Sequence, residues 1–114
     1  MKIILSASVA ILMMSGAALA QEAKSGKDLY DANCARCHGK MAQGDIGVKL
    51  AGDAAYWTPA LFNRAVLAGK DDEGRKLKKK MPRFNKKELD DGKMATVADL
   101  AAIQAYLQTL GPKK

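Results

Sequence analysis

Apolar positions recur at helical spacing in three stretches of the chain, and none alternates as a strand would. The clearest stretch lies near the C-terminus, where Val97, Leu100, Ile103, Leu107 and Leu110 are framed by Thr96-Val97-Ala98-Asp99 and Gly111-Pro112. A threonine answered three residues later by an acid opens a helix, and Gly-Pro closes one. A middle helix starts at Thr58-Pro59, carries Leu61, Phe62, Ala65 and Val66, and stops at Gly69. Proline suits the first helical position because the N–H it lacks would find no partner within the helix. A first helix opens at Ser25-Gly26-Lys27-Asp28 and runs through Leu29 and Tyr30 into Cys34. Between these helices, residues 40–56 and 70–95 are glycine-bearing and polar, with no clear period. The pattern predicts an all-α domain of three to five helices with long loops, which needs something central to pack against.

The first twenty residues read differently. Met1-Lys2 is a short positive start, Ile3 to Met14 is apolar or small, and Ala18-Leu19-Ala20 precedes polar Gln21-Glu22. That is the layout of a cleaved secretory signal, and the apolar run is short for a membrane span. The expectation is therefore a signal peptide over 1–20, one domain over 21–114, a periplasmic location and no stable membrane insertion after cleavage. No cysteine stands at the cleavage point, so a lipid anchor there is excluded.

Composition adds two constraints. Large aromatic area comes only from Trp57, Phe62, Phe84 and three tyrosines, a thin supply for a self-sufficient core of this size. The net charge is +7, falling by one if Lys2 is removed. A basic exported protein meets anionic membrane or acidic protein partners. Nucleic acid is not expected, because no recognition motif is present.

The candidate chemistry is concentrated in Cys34-Ala35-Arg36-Cys37-His38, which holds both cysteines and the only histidine. Two thiols three residues apart can each add to a vinyl group along one porphyrin edge. The adjacent imidazole can then reach iron, so the motif reads as a c-type haem attachment site. Half of a zinc site is the weaker reading, since no other Cys or His completes the shell. A thioredoxin-like pair lacks its strand–helix setting, and a disulfide across so short a loop is strained. A second axial ligand would come from methionine, a common partner of histidine in cytochromes c. Met41 is too near His38 in sequence to reach the other face easily. Met81 lies in Lys80-Met81-Pro82-Arg83-Phe84, where proline disfavours helix at the residue before it and leaves the side chain on an extended segment. Met94, beside Gly92 and Lys93, is the alternative.

These residues resemble the class I monohaem cytochromes c over nearly all of segment 21–114. Gly26-x-x-Leu29-Tyr30-x-x-x-Cys34 is similar to that family's first helix, in which the glycine permits close crossing with an aromatic residue of the last helix, here Tyr106. Gly69, Asp71, Gly74, Leu77 and Met81-Pro82-Arg83-Phe84 are similar to the ligand loop of bacterial members. The resemblance implies a small cytochrome c-like fold around one haem c. Cys34 and Cys37 would hold it, with His38 as proximal and Met81 as distal iron ligand. It further implies an electron-transfer protein with no catalytic residues, serving periplasmic dehydrogenases either as a carrier or as a fixed subunit. The family often has Gly-Pro after the motif, with a backbone carbonyl accepting from the histidine; here the pair is Gly47-Val48. Residues 86–95 also look longer than the usual step to the last helix.

Arg75, Lys76, Lys78, Lys79, Lys80, Arg83, Lys86 and Lys87 crowd around Met81. They are either a solvated face or a rim that steers the protein, as a monomer or within a dehydrogenase complex, onto an acidic patch of a redox partner. Tyr56 and Trp57 are candidates either for donation to haem propionates or for packing. A haem sensor or peroxidase with an open sixth site is the remaining reading.

Overall fold

The computed structural model describes residues 24–114; the signal expected over 1–20 and the domain start at Gln21 lie outside the described residues. Four helices follow one another: α1 (Gly26–Asn33), α2 (Ala35–His38), α3 (Pro59–Ala68) and α4 (Val97–Gln108), with a 3₁₀ turn at Ala54–Tyr56. Among the described residues there is no strand, only an isolated antiparallel bridge between Lys70 and Lys76. The all-α expectation holds, and no described helix is long and apolar enough to cross a membrane.

The helix starts follow local chemistry. Ser25 accepts from the Asp28 N–H at 3.1 Å, and Thr58 accepts from the Leu61 N–H at 3.3 Å with Pro59 at the first position. At α4 the capping box is complete, with Thr96 and Asp99 exchanging two bonds of 3.0 Å. Two helix ends fall earlier than the periodicity suggests. The α4 helix stops at Gln108 because Thr109 and Leu110 turn tightly, donating to Tyr106 and Leu107 three residues back. The α1 helix stops at Asn33, and Cys34 joins two helices. Its N–H closes α1 on the Tyr30 carbonyl at 2.8 Å, and its carbonyl accepts from His38 at 3.0 Å to open α2.

The core forms where α1 crosses α4. Leu29 and Tyr30 meet Leu100, Ile103 and Leu107, all buried. Each such aliphatic side chain contributes about 1.5–3 kcal/mol on burial. The crossing is tight because Gly26 has no side chain: a Cβ there would lie 1.9 Å from the Ala102 carbonyl oxygen. The glycine's partner is thus the α4 backbone. Tyr106, expected at that crossing, stands one turn on from Ala102 and packs on Tyr30 of α1, ring centroids 5.6 Å apart. Val97, which the spacing places on the apolar stripe, is 72% exposed.

The segment 86–95 is tied down rather than loose. Leu89 drops into the core, and Asp90 N–H donates to Asn33 Oδ1 at 2.9 Å while Asn33 Nδ2 donates back to Asp90 Oδ1 at 3.1 Å. Lys24 pairs with the same carboxylate at 3.3 Å. The hydrogen bond from Asn33, opposed by some desolvation and helped by Lys24, holds Asp90 below the ordinary carboxylate range. On the other side of the molecule, Gln104 donates to the Ala55 and Trp57 carbonyls at 3.3 and 2.8 Å and clamps the 3₁₀ turn onto α4.

Candidate haem site

The motif helix α2 is short but fixed at both ends. Tyr30, buried on α1, donates its hydroxyl to the carbonyl of Gly39, the C-cap of α2, at 2.5 Å. Burial, with smaller contributions from Cys34 and Tyr106, pushes the Tyr30 phenol up to about 12, so it stays a donor at any ordinary pH. Helical spacing from Cys34 to Cys37 turns the two thiols toward one side. Both are free of disulfide bonding. Burial, reinforced by the Cys37 thiol, pushes the Cys34 thiol up to about 12.

His38 is buried, and its Nδ1 lies 2.7 Å from the Val48 carbonyl oxygen. A carbonyl can only accept, so Nδ1 carries the proton and Nε2 keeps a free lone pair. Gly47 lies against the ring: a Cβ there would be 2.7 Å from Cε1 and 2.8 Å from Nδ1. Valine in place of the family's proline therefore preserves the acceptor, because the acceptor is backbone. The loop itself is held by Gly47 N–H on the Cys37 carbonyl at 2.7 Å and Gly44 N–H on the His38 carbonyl at 2.8 Å.

Cys34, His38 and Met81 line one cleft, together with Val48, Leu77 and Phe84. It has two contiguous lobes of about 770 and 1040 Å³ of atom-free space, counted out to solvent. Phe62, Val66 and Ile103 extend the apolar wall of one lobe; Cys37, Ile46 and Pro82 line the other. Met41 and Met94 line neither lobe and are 55% and 45% exposed. Trp57 lines the cleft. Tyr56 does not; its hydroxyl faces the Gln108 and Gly111 carbonyls at 3.2 and 3.0 Å, where it secures the end of α4. Among the described residues, no three His, Cys, Asp or Glu side chains converge to hold a bare metal ion. Two thiols, an imidazole with a free Nε2 and a thioether around an apolar slot are instead donors of the types that could hold a c-type haem.

Residues 21–107 match the family model described as cytochrome c oxidase, cbb3-type, subunit III. The chain belongs to this family and is a monohaem c-type cytochrome. Over 52 residues, 46% of this chain and 45% of the relative, the cytochrome is 44% identical to cytochrome c-555 of Chlorobaculum tepidum. Among solved structures, the dihydro-heme d1 dehydrogenase NirN in complex with DHE aligns at 29% identity with a TM-score of 0.51. That alignment covers 78% of this chain and 17% of the other. Cytochrome CL of Methylophaga aminisulfidivorans MPT aligns at 24% identity and a TM-score of 0.44, covering 75% of this chain and 51% of that one. The cytochrome thus spans less than half the length of the first two proteins and about half of the third.

The basic rim is smaller than the residue count implies. Arg75 is engaged with Asp71 at 3.0 Å and Glu73 at 3.2 Å. Desolvation opposes ionisation of Asp71, but the Arg75 N–H and guanidinium and the Glu73 N–H outweigh it and hold the carboxyl below its usual range. Arg83 turns inward, donating to the Met81 and Leu77 carbonyls at 2.8 Å each. Lys76, Lys78, Lys79, Lys80, Lys86 and Lys87 are left exposed, and the first, second and fourth of these line the cleft mouth. Neither the inward Arg83 nor the face contact of Gly47 was foreseen from sequence. The glycine signal was there, in Gly-x beside the motif, but only the fold shows what it touches.

Proposed function

We propose that the chain is a one-electron carrier with haem c held through Cys34 and Cys37 and ligated axially by His38 and Met81. The observation that carries this is the shared cleft: Met81, alone among the described methionines, lines it with His38 and Cys34. When bound, the haem supplies the ferrous/ferric couple, and the protein supplies orientation, potential and access. The Val48 carbonyl fixes the tautomer of His38 and strengthens its donation through Nε2. Leu77, Phe84, Phe62 and Ile103 keep water from that site. With His38 and Met81 both holding the haem, no position would be left for a substrate, and on this reading the protein is a carrier rather than an enzyme. The exposed lysines at the cleft mouth steer it onto an acidic face of a periplasmic redox partner.

A second arrangement keeps the chemistry and fixes the partner: the cytochrome as a subunit of a larger dehydrogenase or oxidase. It is favoured by the NirN alignment, where a unit of this kind makes up 17% of a longer chain. Salt-sensitive, transient association marks the free carrier, and co-purification through high salt marks the subunit.

The deciding experiment is the absorption spectrum of the ferric protein in the far red, where methionine-to-iron charge transfer absorbs. The band is expected in the wild type and in Met94→Ala and is lost in Met81→Ala. A high-spin ferric spectrum without the band overturns the carrier and moves the assignment to a ligand-binding or peroxidatic haem.

A further inference from the structure

We infer that Arg83 is the positioning residue that holds Met81 in the cleft, by tying together the two ends of the Leu77–Met81 loop beside the C-terminus of α3. This rests on the His38/Met81 reading. The guanidinium donates from Nη1 to the Met81 carbonyl and from Nη2 to the Leu77 carbonyl, both at 2.8 Å. It spans the loop from inside, so both ends of the segment bearing Met81 are tied to one rigid fork. The Met81 N–H meanwhile donates to the Lys78 carbonyl at 3.1 Å, which folds the segment into a turn.

The fork is seated by a second residue. Gly69 ends α3 in the left-handed region at φ +70°, which favours glycine. A Cβ there would lie 1.8 Å from Arg83 Nε and 2.1 Å from Cζ, so the guanidinium occupies the space a side chain would take. The same helix end collects the rest of the loop. Leu77 N–H donates to the Gly69 carbonyl at 2.8 Å, Phe84 N–H to Val66 at 3.0 Å and Asn85 N–H to Leu67 at 3.2 Å. The chain on both sides of Met81 therefore docks on carbonyls that α3 leaves without partners of its own. Arg83 bridges the two docked flanks.

An ammonium cannot replace it. Lysine presents a point charge on a flexible stem, whereas two carbonyls at equal distance call for two donors in a fixed plane. Most of the core, and with it α1 and α4, lies outside this joint. Losing the fork should free Met81 more than it unfolds the protein.

The test uses the ferric holoprotein and imidazole, a small ligand that enters only when the sixth position is vacated. Its apparent affinity scales with the fraction of molecules whose methionine has left. Arg83→Gln should bind imidazole about ten- to a hundredfold more tightly than wild type, the loss of charge-assisted bonds to two carbonyls. Arg83→Lys should shift in the same direction. The urea midpoint read by far-UV circular dichroism should move little in either Arg83 variant. Unchanged imidazole affinity in both, or a fall in the urea midpoint large enough to explain the gain, overturns the inference while leaving the ligand assignment standing. A wild type that lacks the far-red methionine band overturns both.

Discussion

Replacing Gly47 by alanine should raise the reduction potential and lower the melting temperature, because its new methyl group displaces His38. The ideal Cβ would stand 2.7 Å from Cε1, 2.8 Å from Nδ1 and 3.1 Å from Nε2, while ordinary contact begins at 3.4 Å. The ring must therefore retreat by about 0.7 Å at Cε1 (3.4 − 2.7). Gly47 and Val48 are neighbours, so retreat from one carries Nδ1 away from the carbonyl of the other, now at 2.7 Å. That hydrogen bond is worth roughly 0.5–1.5 kcal/mol, and it favours the ferric form because it makes His38 a stronger donor. If about 0.5–1 kcal/mol of it distinguishes the two oxidation states, the one-electron potential rises by roughly 20–40 mV, at 59 mV per tenfold. Overpacking adds about 1–3 kcal/mol of destabilisation, and a domain of this size loses about 4–8 °C per kcal/mol. Spectroelectrochemical titration and thermal melting of the same holoprotein read both effects. An unmoved potential in Gly47→Ala would refute the reasoning.

Other perturbations follow from the same geometry. Gly26→Ala gains at most about 1 kcal/mol of helix propensity but drives a methyl group into the Ala102 carbonyl, so it should lower the melting temperature; a variant as stable as wild type would show the crossing to be looser. Asp90 is held below its ordinary range in the folded state, so its contribution is present above the unfolded carboxylate pKa and is lost as pH falls through the folded value. The melting-temperature gap between wild type and Asp90→Asn should accordingly narrow as pH falls below about 4, and a gap unchanged by acid contradicts this. Oxidation of the ferrous protein by ferricyanide should slow as ionic strength rises, and Lys78→Glu with Lys80→Glu should cut the low-salt rate several-fold more than Arg75→Gln. Equal effects in stopped flow would place the entry point away from the cleft mouth.

What could be read from the chain was what neighbours in sequence decide. Thr96 and Asp99, or Thr58 and Pro59, need only their own first turn to mark a helix start, and the structure places both as expected. The attachment motif is likewise local. The division of the first helix at Cys34 escaped periodicity, because the apolar spacing on either side is the same whether the backbone continues or bends. Partners brought by the fold were harder. Tyr106 does pack on the first described helix, but that the nearest neighbour of Gly26 is the Ala102 carbonyl only the fold shows. Segment 86–95 looked like surplus loop until Asn33 and Asp90 were seen to exchange bonds across it. Arg83 and Arg75 count as positive charge in any composition, yet their partners lie at Met81 and Leu77 in one case and Asp71 and Glu73 in the other. Charge is local information, but which way it faces is not.

The contact between residues 26 and 102 also sets an order of events. It joins α1 to α4 across 76 residues of sequence (102 − 26), and contacts so distant in sequence are slow to close. Until then the thiol of Cys34 sits on an unpacked segment with the reactivity of an ordinary cysteine. Once the fold closes, Cys34 packs against the core and lines the cleft beside His38. On the haem reading, the crossing of α1 with α4 thus sets the surroundings of a thiol that would hold the cofactor.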